Sequence, residues 1–110
     1  MDHTRGNEPG ATGEELVRID ASFEPLVPKF LTNRKKEVIT MREAVVVQDF
    51  ETVRKVAHGM KGAGGSYGFD RVSEMAAVIE QAAKALDSST IERDLPILGS
   101  YLDRIKVVYE

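Results

Sequence analysis

Four stretches of this chain repeat apolar residues every three to four positions, and that period constrains the fold more than any other feature. In the first, Leu26, Val27, Phe30, Leu31, Val38, Met41, Ala44 and Val45 form a stripe, with Lys29, Arg34, Lys35, Lys36 and Glu37 largely off it. Pro28 falls in the first turn, where it costs little. The β-branched run Val45-Val46-Val47 is too short to outvote this pattern and reads as the helix end. Asp49 is a good N-cap for a second helix with its stripe at Val53, Val56, Ala57, Met60, Gly64 and Tyr67. A third, with Asp70 as cap candidate, carries Val72, Met75, Ala76, Ile79, Ala83 and Leu86. Asp87-Ser88-Ser89 is a polar break, and Ser89-Thr90-Ile91-Glu92 has capping-box spacing. The last stripe runs Leu95, Leu98, Leu102, Ile105, Tyr109, with Pro96 predicting a helix start near Asp94 or a kink.

No alternating segment longer than about four residues and no hairpin dipeptide is found. Four amphipathic segments with short connections predict an all-α, antiparallel, up-and-down four-helix bundle with a short N-terminal extension. At 110 residues one domain fits. Residues 1–14, with Gly6, Pro9, Gly10 and Gly13, bury too little to offset ordering and read as a flexible tail or linker. His3 lies there without a fixed partner. The bundle is expected over residues 15–110, opened by the apolar Leu16, Val17 and Ile19 and a turn at Ser22–Pro25. Because four helices close on themselves, a monomer is expected.

Composition removes several function classes. Without Cys there is no thiolate metal site, disulfide or Cys nucleophile. The net charge of −3 argues against nucleic acid. No apolar run approaches the ~20 residues of a membrane span, and no signal peptide is visible, so the expected location is the cytoplasm.

The informative stretch is Arg54–Gly68. Residues three and four apart share a helix face, so Arg54, His58, Lys61, Gly62 and Gly65 line up away from the apolar stripe. Gly59, Gly62, Gly64 and Gly65 each cost about 1 kcal/mol relative to Ala inside a helix. Three explanations stand: a loop beginning near Met60, close helix packing at Gly64, or a bare backbone that lets another protein approach His58. A nucleotide loop does not fit, because the nearby Lys precedes the glycines and no strand precedes the run.

The pattern His58-x-x-Lys61-Gly62-x5-Gly68, followed by Phe69, resembles the signature of histidine-containing phosphotransfer (HPt) domains. Val27-Pro28-Lys29-Phe30-Leu31-x-x-Arg34 is similar to that family's first bundle helix, and Ile79-Glu80-Gln81-Ala82-Ala83 to a later one. The likeness covers roughly residues 16–110. It implies His58 as phosphoacceptor, Lys61 as the cation facing the phosphoryl group, and Gly62 as the small residue that opens access. It also implies Glu80 as the group that hydrogen-bonds the other imidazole nitrogen, expected to be Nδ1, with Lys84 as a basic residue one turn on. From the residues alone, Glu80 reads as a solvated flank residue paired with Lys84 at i,i+4. Gly59 and Gly65 depart from the pattern by adding flexibility, and Ala63 by lacking a hydroxyl. Gly68 is assigned a structural role.

A neutral imidazole attacks phosphorus without a separate base. Lys61 is expected to disfavour the imidazolium and to stabilise the phosphoryl oxygens. With no carboxylate cluster for Mg²⁺ and no nucleotide loop, the expectation is a phosphorelay carrier without kinase activity or a bound cofactor. The partners implied are receiver domains, which bring the Mg²⁺, and a hybrid histidine kinase. Docking is expected over Arg54, Lys55, Gly59, Gly62, Gly65 and Lys84, with a locally basic character that speeds encounter. The competing readings are a phosphoacceptor charged directly by an ATP-binding kinase domain, a receiver-binding adaptor that is not phosphorylated, and a metal-binding bundle, which lacks the needed ligands.

Overall fold

The computed structural model describes residues 13–110. The tail expected over 1–14 therefore lies almost wholly outside the described residues. The chain opens with strand β1 (Glu15–Ile19), then a 3-10 helix (Ala21–Leu26). Helices α1 (Val27–Val46), α2 (Phe50–Tyr67), α3 (Asp70–Lys84) and α4 (Ser88–Arg104) follow, and strand β2 (Ile105–Tyr109) ends it. The helices pack in a ring: α1 on α2, α2 on α3, α3 on α4 and α4 back on α1, with α2 against α3 the most extensive contact. Loops of two or three residues join them, which enforces the up-and-down arrangement.

The expected stripes form the core except at Leu26 and Leu86, which end up exposed at the helix ends. Met41, Val53, Met60, Val72, Ile79, Ile91, Leu95, Leu98 and Leu102 are all buried. Near one end, Phe30 stacks on Tyr67 at 5.1 Å and on Phe69 at 4.5 Å, and Phe23 covers Tyr67 at 5.3 Å. This aromatic layer joins the 3-10 helix, α1 and the α2–α3 turn. The Arg34 guanidinium lies 4.8 Å above the Phe30 ring, a cation–π contact.

The helix ends follow their capping chemistry. Asp49 accepts from the Thr52 amide at 3.1 Å, and Asp87 does the same for Thr90 at 3.1 Å. The second case corrects an expectation: the cap of α4 is Asp87, not Ser89, and the helix starts well before Asp94. It runs through Pro96, which sits inside it with an exposed ring. Phe69, without a side-chain bond, takes the N-cap position ascribed to Asp70. Gly68 ends α2 at φ +86°, a left-handed conformation that a side chain would strain.

The strands were not expected. β1 and β2 pair in parallel, Glu15 opposite Ile105 through Ile19 opposite Tyr109. The Ala21 and Glu110 amides extend the ladder at 3.0 Å each. Ile105 and Tyr109 thus leave the helix to which their spacing assigned them. Ile105 has extended backbone, and residues 105–109 turn alternate side chains, Ile105, Val107 and Tyr109, toward the bundle.

Candidate functional site

The site is built on the faces of α2 and α3 that meet each other. α2 stays helical through all four glycines to Tyr67, so a loop near Met60 is excluded. Gly64 explains itself by packing. A Cβ there would lie 3.0 Å from the Ser73 backbone nitrogen and 3.1 Å from the Phe69 carbonyl oxygen. Only a glycine lets α3 come so close. Gly59 and Gly62 behave differently: a Cβ at either meets nothing within 4 Å. They leave a bare strip of helix beside His58. Gly65 belongs only to its margin, because its Cβ would stand 3.7 Å from Ser73 Oγ.

His58 projects from α2 with 65% of its side chain exposed. Its Nδ1 lies 2.9 Å from Oε2 of Glu80, on α3. The two residues are brought together across the helix interface, so Glu80 is not a solvated flank residue. It is 2% exposed, the only buried charged residue among those described. Burying a carboxylate demands compensating partners, and three groups provide them. Besides His58, Lys61 Nζ lies 2.8 Å from Oε1 in an ion pair, and Lys84 Nζ stands 3.8 Å from Oε2. The Lys61 ammonium is the main influence holding the Glu80 carboxyl down at about 2; burial pushes it up, and His58 adds a further lowering.

Lys61 is therefore not a free cation: it rests on Glu80. A second contact fixes its backbone, since Ser73 Oγ donates to the Lys61 carbonyl at 2.8 Å. Ser73 had no local signal in the sequence, because its partner is twelve residues away on another helix. Arg54 and Lys55 are also engaged. Arg54 makes two hydrogen bonds to Glu51, at 3.0 and 2.6 Å, and Lys55 lies 3.8 Å from the same carboxylate. The Glu51-x-x-Arg54 spacing was the missed cue. The face carries Arg54, Lys55, Lys61 and Lys84 against Glu51 and Glu80, so it remains positive but less so than its lysines and arginine alone imply.

With Nδ1 occupied by a carboxylate, the neutral ring carries its proton there and presents the Nε2 lone pair outward. A buried anion behind the ring, a nearby ammonium and an open backbone strip form an arrangement suited to accepting an electrophilic group from a large partner. Among the described residues no group of three or more His, Asp or Glu is placed to hold a metal ion, and no helix is long and apolar enough to cross a membrane.

No curated protein and no solved structure matches the chain at the significance required. A family model described as Hpt domain matches residues 26–107, from the end of the 3-10 helix into β2. That match takes in α1 to α4 and every side chain of the His58 site, and by it the chain belongs to the Hpt domain family, the histidine phosphotransfer modules of two-component signalling.

Proposed function

We propose that His58 takes a phosphoryl group from an aspartyl-phosphate on one receiver domain and hands it to another. The observation that carries this reading is the exposed imidazole whose Nδ1 is held by the buried Glu80. The Nε2 lone pair attacks phosphorus, an N–P bond forms, and the P–O bond to the donor aspartate breaks. The aspartate leaves as a carboxylate. The ring becomes an N-phosphorylated imidazolium and keeps its proton on Nδ1. No proton has to move, and the Glu80 charge offsets the positive charge that develops on the ring. The reverse sequence discharges the group to the next receiver.

Lys61 is placed one helical turn from His58, where its ammonium can turn from Glu80 toward the phosphoryl oxygens. Gly59 and Gly62 admit the partner's surface. Receiver domains would bring the Mg²⁺ that phosphoryl transfer requires.

The test is transfer from a phosphorylated receiver to the chain and to His58→Gln. The expected result is an acid-labile, alkali-stable label on the wild type only. If a broad set of receivers gives none while an ATP-bound kinase domain labels His58, direct charging by a kinase replaces this reading. If neither does and receivers still bind, the chain acts as an adaptor.

A further inference from the structure

One counter-charge balances a buried carboxylate, yet Glu80 has two lysines beside it, and they are engaged very differently. Lys61 Nζ lies 2.8 Å from Oε1, an oxygen shut off from solvent. Among the described residues it is the cation nearest to that oxygen. Lys84 Nζ stands 3.8 Å from Oε2, with 48% of its side chain exposed. It makes no other ion pair among the described residues. Its contact with Glu80 is looser than a hydrogen bond. Lys84 and Glu80 are stacked at i,i+4 on α3, so the flexible lysine stem closes the gap with no backbone movement. Arg54, another cation on this face, is held by Glu51 at 2.6 Å.

Phosphoryl transfer sets up a conflict over Lys61. Turning its ammonium to the phosphoryl oxygens takes the cation away from Oε1, and a buried carboxylate stripped of its partner is strongly unfavourable. The same carboxylate has to stay ionised, because its charge offsets that of the ring. The charges of the site point the same way. With the imidazole neutral, Lys61 and Lys84 exceed Glu80 by one positive charge. The phosphoryl group brings close to two negative charges, and the ring gains one positive. The phosphorylated site is then neutral, provided that both lysines stay. Without Lys84 it would hold one uncompensated negative charge.

We infer that Lys84 is the reserve counter-ion of Glu80: it closes on the carboxylate when Lys61 turns to the phosphoryl group, and so keeps the imidazole held in the phosphorylated state. The inference rests on His58 being the phosphoacceptor. Lys84 touches neither the ring nor the phosphoryl group in this exchange of partners. It is a positioning residue that acts through Glu80. Its effect falls on the phosphorylated form and much less on the resting one, where Lys61 already neutralises Oε1.

The experiment is exchange of the phosphoryl group between phosphoimidazole and His58 of the full chain, with His58→Gln as the blank. One P–N bond breaks as neutral imidazole leaves, and another forms at Nε2. The equilibrium constant therefore reads the stability of phospho-His58 with no receiver present, and residues that serve only docking do not enter it. Lys84→Met should lower the constant about fivefold, the top of the range for a partly exposed ion pair. Lys84→Arg should restore it. In a Glu80→Gln background Lys84→Met should have no further effect, because the charge it serves is gone. With the Lys84 side chain half exposed, helical circular dichroism of both Lys84 variants should stay at the wild-type level. A Lys84→Met constant equal to wild type overturns the inference and leaves the proposed function standing. A loss that persists undiminished in the Glu80→Gln background also overturns it, and places Lys84 on the phosphoryl group itself. Absence of label on His58 from phosphoimidazole and from every receiver overturns the proposed function, and the inference with it.

Discussion

Alanine at Gly62 and at Gly64 should have opposite effects on stability, although the two sites lie two residues apart on one helix. Both exchanges gain the same local term: about 0.5–1 kcal/mol, because alanine loses less backbone freedom than glycine on entering a helix. At Gly62 nothing opposes it, since the new methyl meets no atom within 4 Å. At Gly64 the methyl would stand 3.0 Å from one backbone atom and 3.1 Å from another. Backbone cannot rotate aside as a side chain would. α3 must retreat, straining the Phe69-to-Gly64 hydrogen bond of 2.8 Å that joins the two helices. Overpacking of this kind costs about 1–3 kcal/mol. The net at Gly64 is a loss of about 1 kcal/mol, with a range from near zero to about 2. For a chain of this size the melting temperature should rise by about 3–6 °C for Gly62→Ala and fall by a similar amount for Gly64→Ala. Thermal melts followed by helical circular dichroism read both. A Gly64→Ala protein that melts above wild type, or a Gly62→Ala protein that melts below it, would refute the packing argument. Function should run the other way at Gly62. The methyl sits on the strip offered to the partner, so transfer from a receiver should slow, while labelling of His58 by a small phosphoramidate donor stays at the wild-type rate. Equal slowing with both donors would mean that the glycine serves the imidazole rather than the docking.

Glu80 should titrate far below an ordinary glutamate, at about 2 against 4.5. A lowered carboxyl contributes stability that is complete above about pH 4.5 and lost as pH falls through about 2. Carboxyl chemical shifts across pH 1–6 check this, and a midpoint near 4.5 would contradict it. Replacing Glu80 with Gln keeps a hydrogen-bond acceptor at Nδ1 but removes the charge behind the ring, so transfer should slow while the exposed-nitrogen tautomer persists; nitrogen shifts of His58 showing the other tautomer would count against the assignment. Phe30→Ala empties the centre of the aromatic layer and should cost about 3–5 kcal/mol in urea unfolding. A loss under about 1 kcal/mol would show that the layer contributes little beyond ordinary surface contact.

The bundle could be read from the chain because its information is local. Periodic stripes, Asp49 as a cap and a glycine at the end of α2 each act within a turn or two of themselves. The pairing of His58 with Glu80 was legible only through the resemblance, since it joins two helices and has no periodic signature. What the sequence concealed was non-local or competitive. Ile105 and Tyr109 fit a helical stripe and a strand equally, and their partner, β1, lies at the other end of the chain. Asp87 and Ser89 both had capping chemistry, and Asp87 took the position from which its carboxylate reaches Thr90 by both amide and hydroxyl. The contact of Lys61 with Glu80 left no sequence signal because its counter-charge sits on another element.

The paired strands set the order in which the molecule should assemble and come apart. Apart from α1 against α4, the helices contact their neighbours in sequence. Such contacts close small loops and form quickly. The clasp between β1 and β2 instead closes a loop that contains the whole bundle, and its entropic cost falls due only when α1 and α4 are already docked. It should therefore form last and open first. In native hydrogen exchange the amides of residues 15–19 and 105–109 should exchange through local opening while the core helices remain protected, so that the chain's two ends act as a latch on a bundle already folded.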